Sequence, residues 1–153
     1  MNTSPNTHFP GVVKALREGG IAYGVIDAQS PEEMSLIEWT ELAFPSVHSQ
    51  IDWAKIPAHR CIDWNDLDDL VPFFLEMADT FHAGSPVVVM WANGLCPSVE
   101  MALGDVARIA RAIFEEHETS LDVFVFNRHE GWLIEMNHEG TLCVGRSEAF
   151  KMK

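Results

Sequence analysis

The sequence predicts an α+β fold in which one mixed sheet carries helices packed against it. Three observations predict it: a continuous apolar run at 87–92, three short strand-like segments after residue 120, and apolar residues at helical spacing in four other stretches. A chain of 153 residues fits one domain, 1–153, with 1–8 and 147–153 expected to be loose. Hydrophobic residues make up 47% and charged ones 22%, a globular balance and not that of a disordered chain.

The first helix is expected to start near Pro10, to carry Val12, Val13 and Leu16 on one face, and to stop at Gly19-Gly20. A strand follows over 21–26. Ser30, Pro31 and Glu33 then form a capping box with proline at the first helical position, and a helix is predicted to run to Leu42. Pro45 and Pro57 break 44–64 into loop, with a short strand over 60–63. The spacing of Leu67, Leu70, Phe74, Met77 and Phe81 predicts another helix, which Pro72 either kinks or begins.

Residues 87–92 have the unbroken apolar character of a central strand covered on both faces. Val99, Ala102, Leu103, Val106, Ile109, Ala110 and Ile113 form one stripe and predict a helix that begins at Pro97 or Ser98. Strands at 121–126, 132–136 and 141–144 are separated by turns containing His129-Glu130-Gly131 and His138-Glu139-Gly140, which predicts a three-stranded antiparallel meander. The strand at 87, the long helix and the strand at 121 would make a right-handed crossover unit, hence the mixed sheet.

Charge is the most informative number. Ten Lys and Arg stand against 23 Asp and Glu, a formal net of −13. Between Arg17 and Arg108 the only basic residues are Lys55 and Arg60, while the same stretch holds 15 of the acids. Such a field repels nucleic acid and anionic membrane and speeds encounter with a cationic protein. The plainer explanation of the same charge is solubility. No apolar run reaches the roughly 20 residues of a membrane span, and the N-terminus lacks the pattern of a secretory signal. Cys61, Cys96 and Cys143 lack metal-ligand spacing, so reduced, mostly buried thiols in the cytoplasm are expected.

Catalytic chemistry finds little footing. Cys96 stands between a strand and a predicted helix, where a thiolate is favoured, but it has no C-x-x-C partner and packing explains it better. His129, Glu130, Glu135 and His138 could converge across a hairpin, yet the H-E-x-x-H spacing of zinc hydrolases is absent and turn chemistry accounts for them. Asp66, Asp68 and Asp69 lack the order of a calcium loop and suit a helix start. No cofactor or metal is expected, and the chain is not predicted to be an enzyme. Helix starts leave Asp52, Asp63, Glu76 and Asp79 unexplained, whereas an acidic docking surface formed by Asp52, Trp53, Asp63, Trp64, Asp66, Asp68, Asp69, Glu76 and Asp79 explains them together. Its tryptophans would anchor a basic partner, although tryptophan is as often core.

The stretch 122–145, D-V-F-V-F-N-R-H-E-G-W-L-I-E-M-N-H-E-G-T-L-C-V-G, resembles the closing strands of bacterial immunity proteins from contact-dependent growth inhibition and related polymorphic toxin systems. The resemblance implies a cytoplasmic antitoxin that binds and neutralises the toxin domain of its own system, often a nuclease with a basic surface. It carries over no functional residues. Two other readings remain: a small thiol-dependent or hydrolytic enzyme using Cys96, and an acidic adaptor or regulator that docks a basic protein.

Overall fold

The computed structural model describes residues 9–47, 50–91, 96–114, 122–137 and 140–147. In chain order these form α1 (Phe9–Glu18), β1 (Gly24–Ile26), α2 (Pro31–Ala43), a small hairpin of β2 (Ser46–Val47) and β3 (Gln50–Ile51), β4 (His59–Asp63), α3 (Leu70–Phe81), β5 (Pro86–Trp91), β6 (Ser98–Ala102), α4 (Leu103–Val106), α5 (Ala110–Phe114), β7 (Val123–Asn127), β8 (Trp132–Asn137) and β9 (Thr141–Arg146). Seven strands join in one sheet, ordered β1-β6-β5-β7-β8-β9-β4, which leaves β1 and β4 as its edges.

The fold is α+β, and the C-terminal meander is present as β7, β8 and β9. The sheet is nevertheless antiparallel throughout the described strands, and the expected crossover is corrected. Its cause is β6. The segment expected to open a long helix at Ser98 is instead a strand, paired with β5 through Val87↔Met101 and Val89↔Val99. Because β6 reverses the chain before α4 begins, the helical segment returns it antiparallel to β5, not parallel. Val99 serves both the helical stripe and, with Met101, a period of two, which is why spacing alone misassigned the segment.

The other local signals act as their chemistry requires. Glu33 N–H donates to the Ser30 hydroxyl at 3.1 Å and Gln29 N–H donates to the Glu33 carboxylate at 2.8 Å, so the return arm of the capping box closes one residue before the cap. Pro72 lies in the first turn of α3, after a 3₁₀ turn at Leu67–Asp69, where its missing N–H costs nothing. Gly20, at φ +65°, ends α1 as Ile21 N–H reaches back to Leu16 O. Ser147, expected to be loose, is fully buried and donates its hydroxyl to Ala43 O at 2.8 Å; 1–8 and 148–153 lie outside the described residues.

Alternation along the strands sends two apolar sets to opposite sides of the sheet. Val87, Val89, Trp91, Trp132 and Ile134 meet α1, α3, α4 and α5 on the first face. Val88, Met90, Phe126, Leu133 and Cys143 meet α2, Phe44, Trp53 and Ile56 on the second. Phe81 stacks on Trp132 at 4.2 Å on the first face, and Trp39 stacks on Phe126 at 5.4 Å on the second. β5 is therefore covered on both sides, as its unbroken apolar run predicts.

Gly145 in β9 is the tightest point of the second layer. A Cβ there would come within 2.8 Å of the Trp53 ring and 3.1 Å of Ala58 O. Gly145→Ala is expected to lower unfolding free energy by about 1–3 kcal/mol through overpacking, read as a lower denaturant midpoint. An unchanged midpoint would show that Trp53 gives way freely.

Candidate functional site

The nine residues expected to form one docking surface divide between the two sides of the sheet. Arg60, Ile62 and Trp64 alternate toward α3, whereas Cys61 and Asp63 point to the side of α2. Trp64, Asp66, Asp68, Asp69, Glu76 and Asp79 accordingly stand with α3. Asp52, Trp53 and Asp63 stand across the β4 edge from them.

Trp53 is core. It is 8% exposed, its ring lies 6.0 Å from both Phe44 and His59, and its indole N–H donates to the Glu135 carboxylate at 2.7 Å. Asp52 is half-buried at the start of the 3₁₀ turn Trp53–Lys55 and stands 3.9 Å from Lys55. Neither presents itself as an interface anchor. Trp64 is half-buried against the α3 layer, and its indole nitrogen is buried with no hydrogen-bond partner among the described residues.

The aspartates before α3 build a turn. Asp69 accepts from Asn65 N–H at 2.8 Å and Asp66 N–H at 3.3 Å, and Asp66 accepts from Asp68 N–H at 2.8 Å. Asp68 pairs with Arg111 at 3.1 Å. Glu76 receives both terminal nitrogens of Arg60, at 2.7 and 3.0 Å, and the same guanidinium lies 5.6 Å above the Phe73 ring. Hydrogen bonding to Arg60 holds the Glu76 carboxyl below its ordinary range. Glu76 and Asp68 are thus engaged internally. Asp63, Asp66, Asp69 and Asp79 remain exposed, with no ion-pair partner among the described residues.

Two buried carboxylates escaped the sequence analysis as structural groups. Glu33, 2% exposed, accepts from the Ser98 hydroxyl at 3.0 Å and so ties α2 to β6. Glu135, also 2% exposed, accepts from Ile51 N–H at 3.2 Å as well as from Trp53. The capping box marks Glu33 but not its bond to Ser98, and nothing local marks that of Glu135 to Ile51, because these partners are 65 and 84 residues away. Glu135 points into the layer behind the sheet, while Glu130 accepts from the Trp132 indole at 2.9 Å. These groups make no converging acid–base set, and His138 lies outside the described residues.

Cysteine pairing corrects the expectation of three reduced thiols. Cys61 and Cys143 face each other in register across β4 and β9 and are disulfide-bonded. Cys61 is exposed, not buried. Cys96 is free and 1% exposed, and burial, aided by nearby Glu33, pushes its thiol up to about 12. A thiol so held is protonated and unreactive at neutral pH. Among the described residues no group of His, Cys, Asp and Glu could hold a metal ion, and no helix is long and apolar enough to cross a membrane. Neither a protein-family model nor a curated protein sequence matches the chain, so functional inference rests on the residues themselves.

Iodoacetamide at neutral pH is expected to leave the native protein unmodified, to add one alkyl group after unfolding, and to add three once a reductant is present. Mass spectrometry reads each step. Three additions without reductant would place Cys61 and Cys143 as a dithiol.

Burial raises the Glu135 pKa, the bonds from Trp53 and Ile51 pull it down, Asp122 pushes it up, and the net direction is upward. The folded state then holds this proton to higher pH than the unfolded chain does. Stability falls as pH rises from the unfolded carboxylate range, about 4.3, through the folded value. Denaturant titrations between about pH 4 and 7 should show that this decline is lost in Glu135→Gln. An identical pH slope in both proteins would contradict the assignment.

Proposed function

We propose that the chain is a binding protein of the immunity type, which docks on the basic face of a toxin domain and neutralises it. The observation that carries this reading is the set of exposed carboxylates, Asp63, Asp66, Asp69 and Asp79, which form no ion pair among the described residues, in a segment whose own bases are engaged elsewhere. Arg60 is clamped by Glu76, and Lys55 stands beside Asp52. An acidic surface this short of counter-charge is complementary to a protein that presents Lys and Arg to phosphates, as a nuclease must. Occupying that surface excludes nucleic acid by volume and by charge. Asp52 and Trp53 drop out of the docking set because they serve the core, while half-buried Trp64 stays at its rim.

The burial of Cys96 supports no thiol chemistry, and the adaptor reading shares the same docking physics without inhibition. The Cys61–Cys143 disulfide belongs to oxidising surroundings and so counts against the cytoplasmic part of the antitoxin reading.

The test uses the product of the adjacent gene, which this reading expects to carry a toxin domain. Charge reversal at Asp63, Asp66 and Asp79 together is expected to weaken binding on the order of 100-fold, to flatten its salt dependence, and to abolish protection of cells that express the domain. Unaltered affinity in a variant with a native melting curve would remove the acidic surface from the mechanism. A neighbouring gene product that harms no cell would remove the immunity reading itself.

A further inference from the structure

We propose that the outward face of α2 is a second docking surface, and that its occupant is a cationic amphipathic helix of a partner protein. It lies on the opposite side of the sheet from α3, so it is separate from Asp66, Asp69 and Asp79. A helix lying on a sheet ordinarily puts its apolar residues inward. α2 does not. Leu36 and Ala43 are buried with Glu33, yet Met34 is 53% and Leu42 79% exposed.

Met34, Glu38 and Leu42 follow one another at intervals of four and therefore stand in one outward row. At about 1.5 Å rise per residue the two apolar ends are roughly 12 Å apart with a carboxylate between them. Glu41 flanks the row and is exposed. A shallow open groove follows the same face along Pro31, Met34, Ser35, Ile37, Glu38 and Glu41. No Lys or Arg occurs in α2, and none forms an ion pair with Glu32, Glu38 or Glu41 among the described residues.

Charge decides among occupants. Nucleic acid and anionic lipid are repelled by the row of carboxylates. A second copy across a two-fold axis would lay α2 against α2 and oppose like charges. A helix with apolar residues two turns apart and Lys or Arg between them satisfies both parts of the face: the apolar ends bury Met34 and Leu42, and the cations meet Glu38 and Glu41.

The experiment uses the full-length chain and a fluorescent 14-residue peptide of leucine and lysine, ordered to form an amphipathic helix. Controls are the same residues in scrambled order and a leucine–glutamate helix. The ordered basic peptide should bind at least about 10-fold more tightly than either control. Met34→Glu with Leu42→Glu should weaken it about 10-fold or more, as should Glu38→Lys with Glu41→Lys. Leu75→Glu, at an exposed apolar position on α3, should leave it unchanged.

Equal binding of the scrambled peptide, or full binding by the Met34/Leu42 variant, overturns the proposal. So does self-association of the chain abolished by Leu42→Glu, which would give the face to a second copy. If the peptide binds only after removal of 148–153, the chain's own Phe150-Lys-Met-Lys153 is the occupant and the proposal fails. No toxin domain enters this experiment, so its failure is distinguishable from failure of the immunity reading.

Discussion

The hydrogen bond from the Trp53 indole to buried Glu135 fastens the irregular part of the chain to the second face of the sheet. A seven-stranded antiparallel sheet with apolar residues on both sides needs a cover on both sides. Helices α1, α3, α4 and α5 supply one, but α2 alone does not span the other. The remainder comes from Phe44, Trp53 and Ile56, in a segment with only a two-residue hairpin for regular structure. A buried carboxylate that accepts from an indole and a backbone amide fixes that segment where packing alone would leave its register open. These bonds offset the cost of burying the carboxyl group, so the gain lies as much in position as in stability.

The position of β4 depends on this clasp. The chain leaves the Trp53 turn directly into the strand, and the register of β4 on β9 then sets Cys61 opposite Cys143 and turns Arg60 toward Glu76. Arg60 lies between Phe73 and Glu76 and joins the sheet edge to α3. One end of the fold is thus held by a covalent bond on the second face and an ion pair on the first. The exposed aspartates between them inherit a rigid frame, which lowers the entropy cost of presenting charge to a partner.

How much of this was legible follows from the range of each interaction. The capping box of α2, the apolar run of β5 and the glycine turns of the meander are local, and each is written within a few residues. β6 was hidden because Val99 belongs to the helical stripe as well as to a period of two with Met101, and only the edges of β1 and β5 select the strand. Trp53 gave no signal of burial, since its partner Glu135 is 82 residues away. The cysteine pair was equally silent, being separated by 82 residues and joined only through the register of β4 on β9. The candidate surface was legible as a surplus of charge but not as a place, because alternation along β4 splits a run of neighbouring residues between two sides of a sheet.

That split changes what the acidity can do. A single acidic patch would be saturated by one basic partner, whereas carboxylates on both faces, around an edge strand that pairs only with β9, allow contact along a rim. The α3 side offers charge with little apolar area and therefore suits fast, salt-sensitive encounter. The α2 side offers two exposed apolar residues among carboxylates, and apolar burial slows dissociation where screened charge does not. A partner large enough to reach both would be captured by one and retained by the other. The two sites would then raise each other's effective concentration without contact between them, and loss of either would cost more in the pair than in isolation.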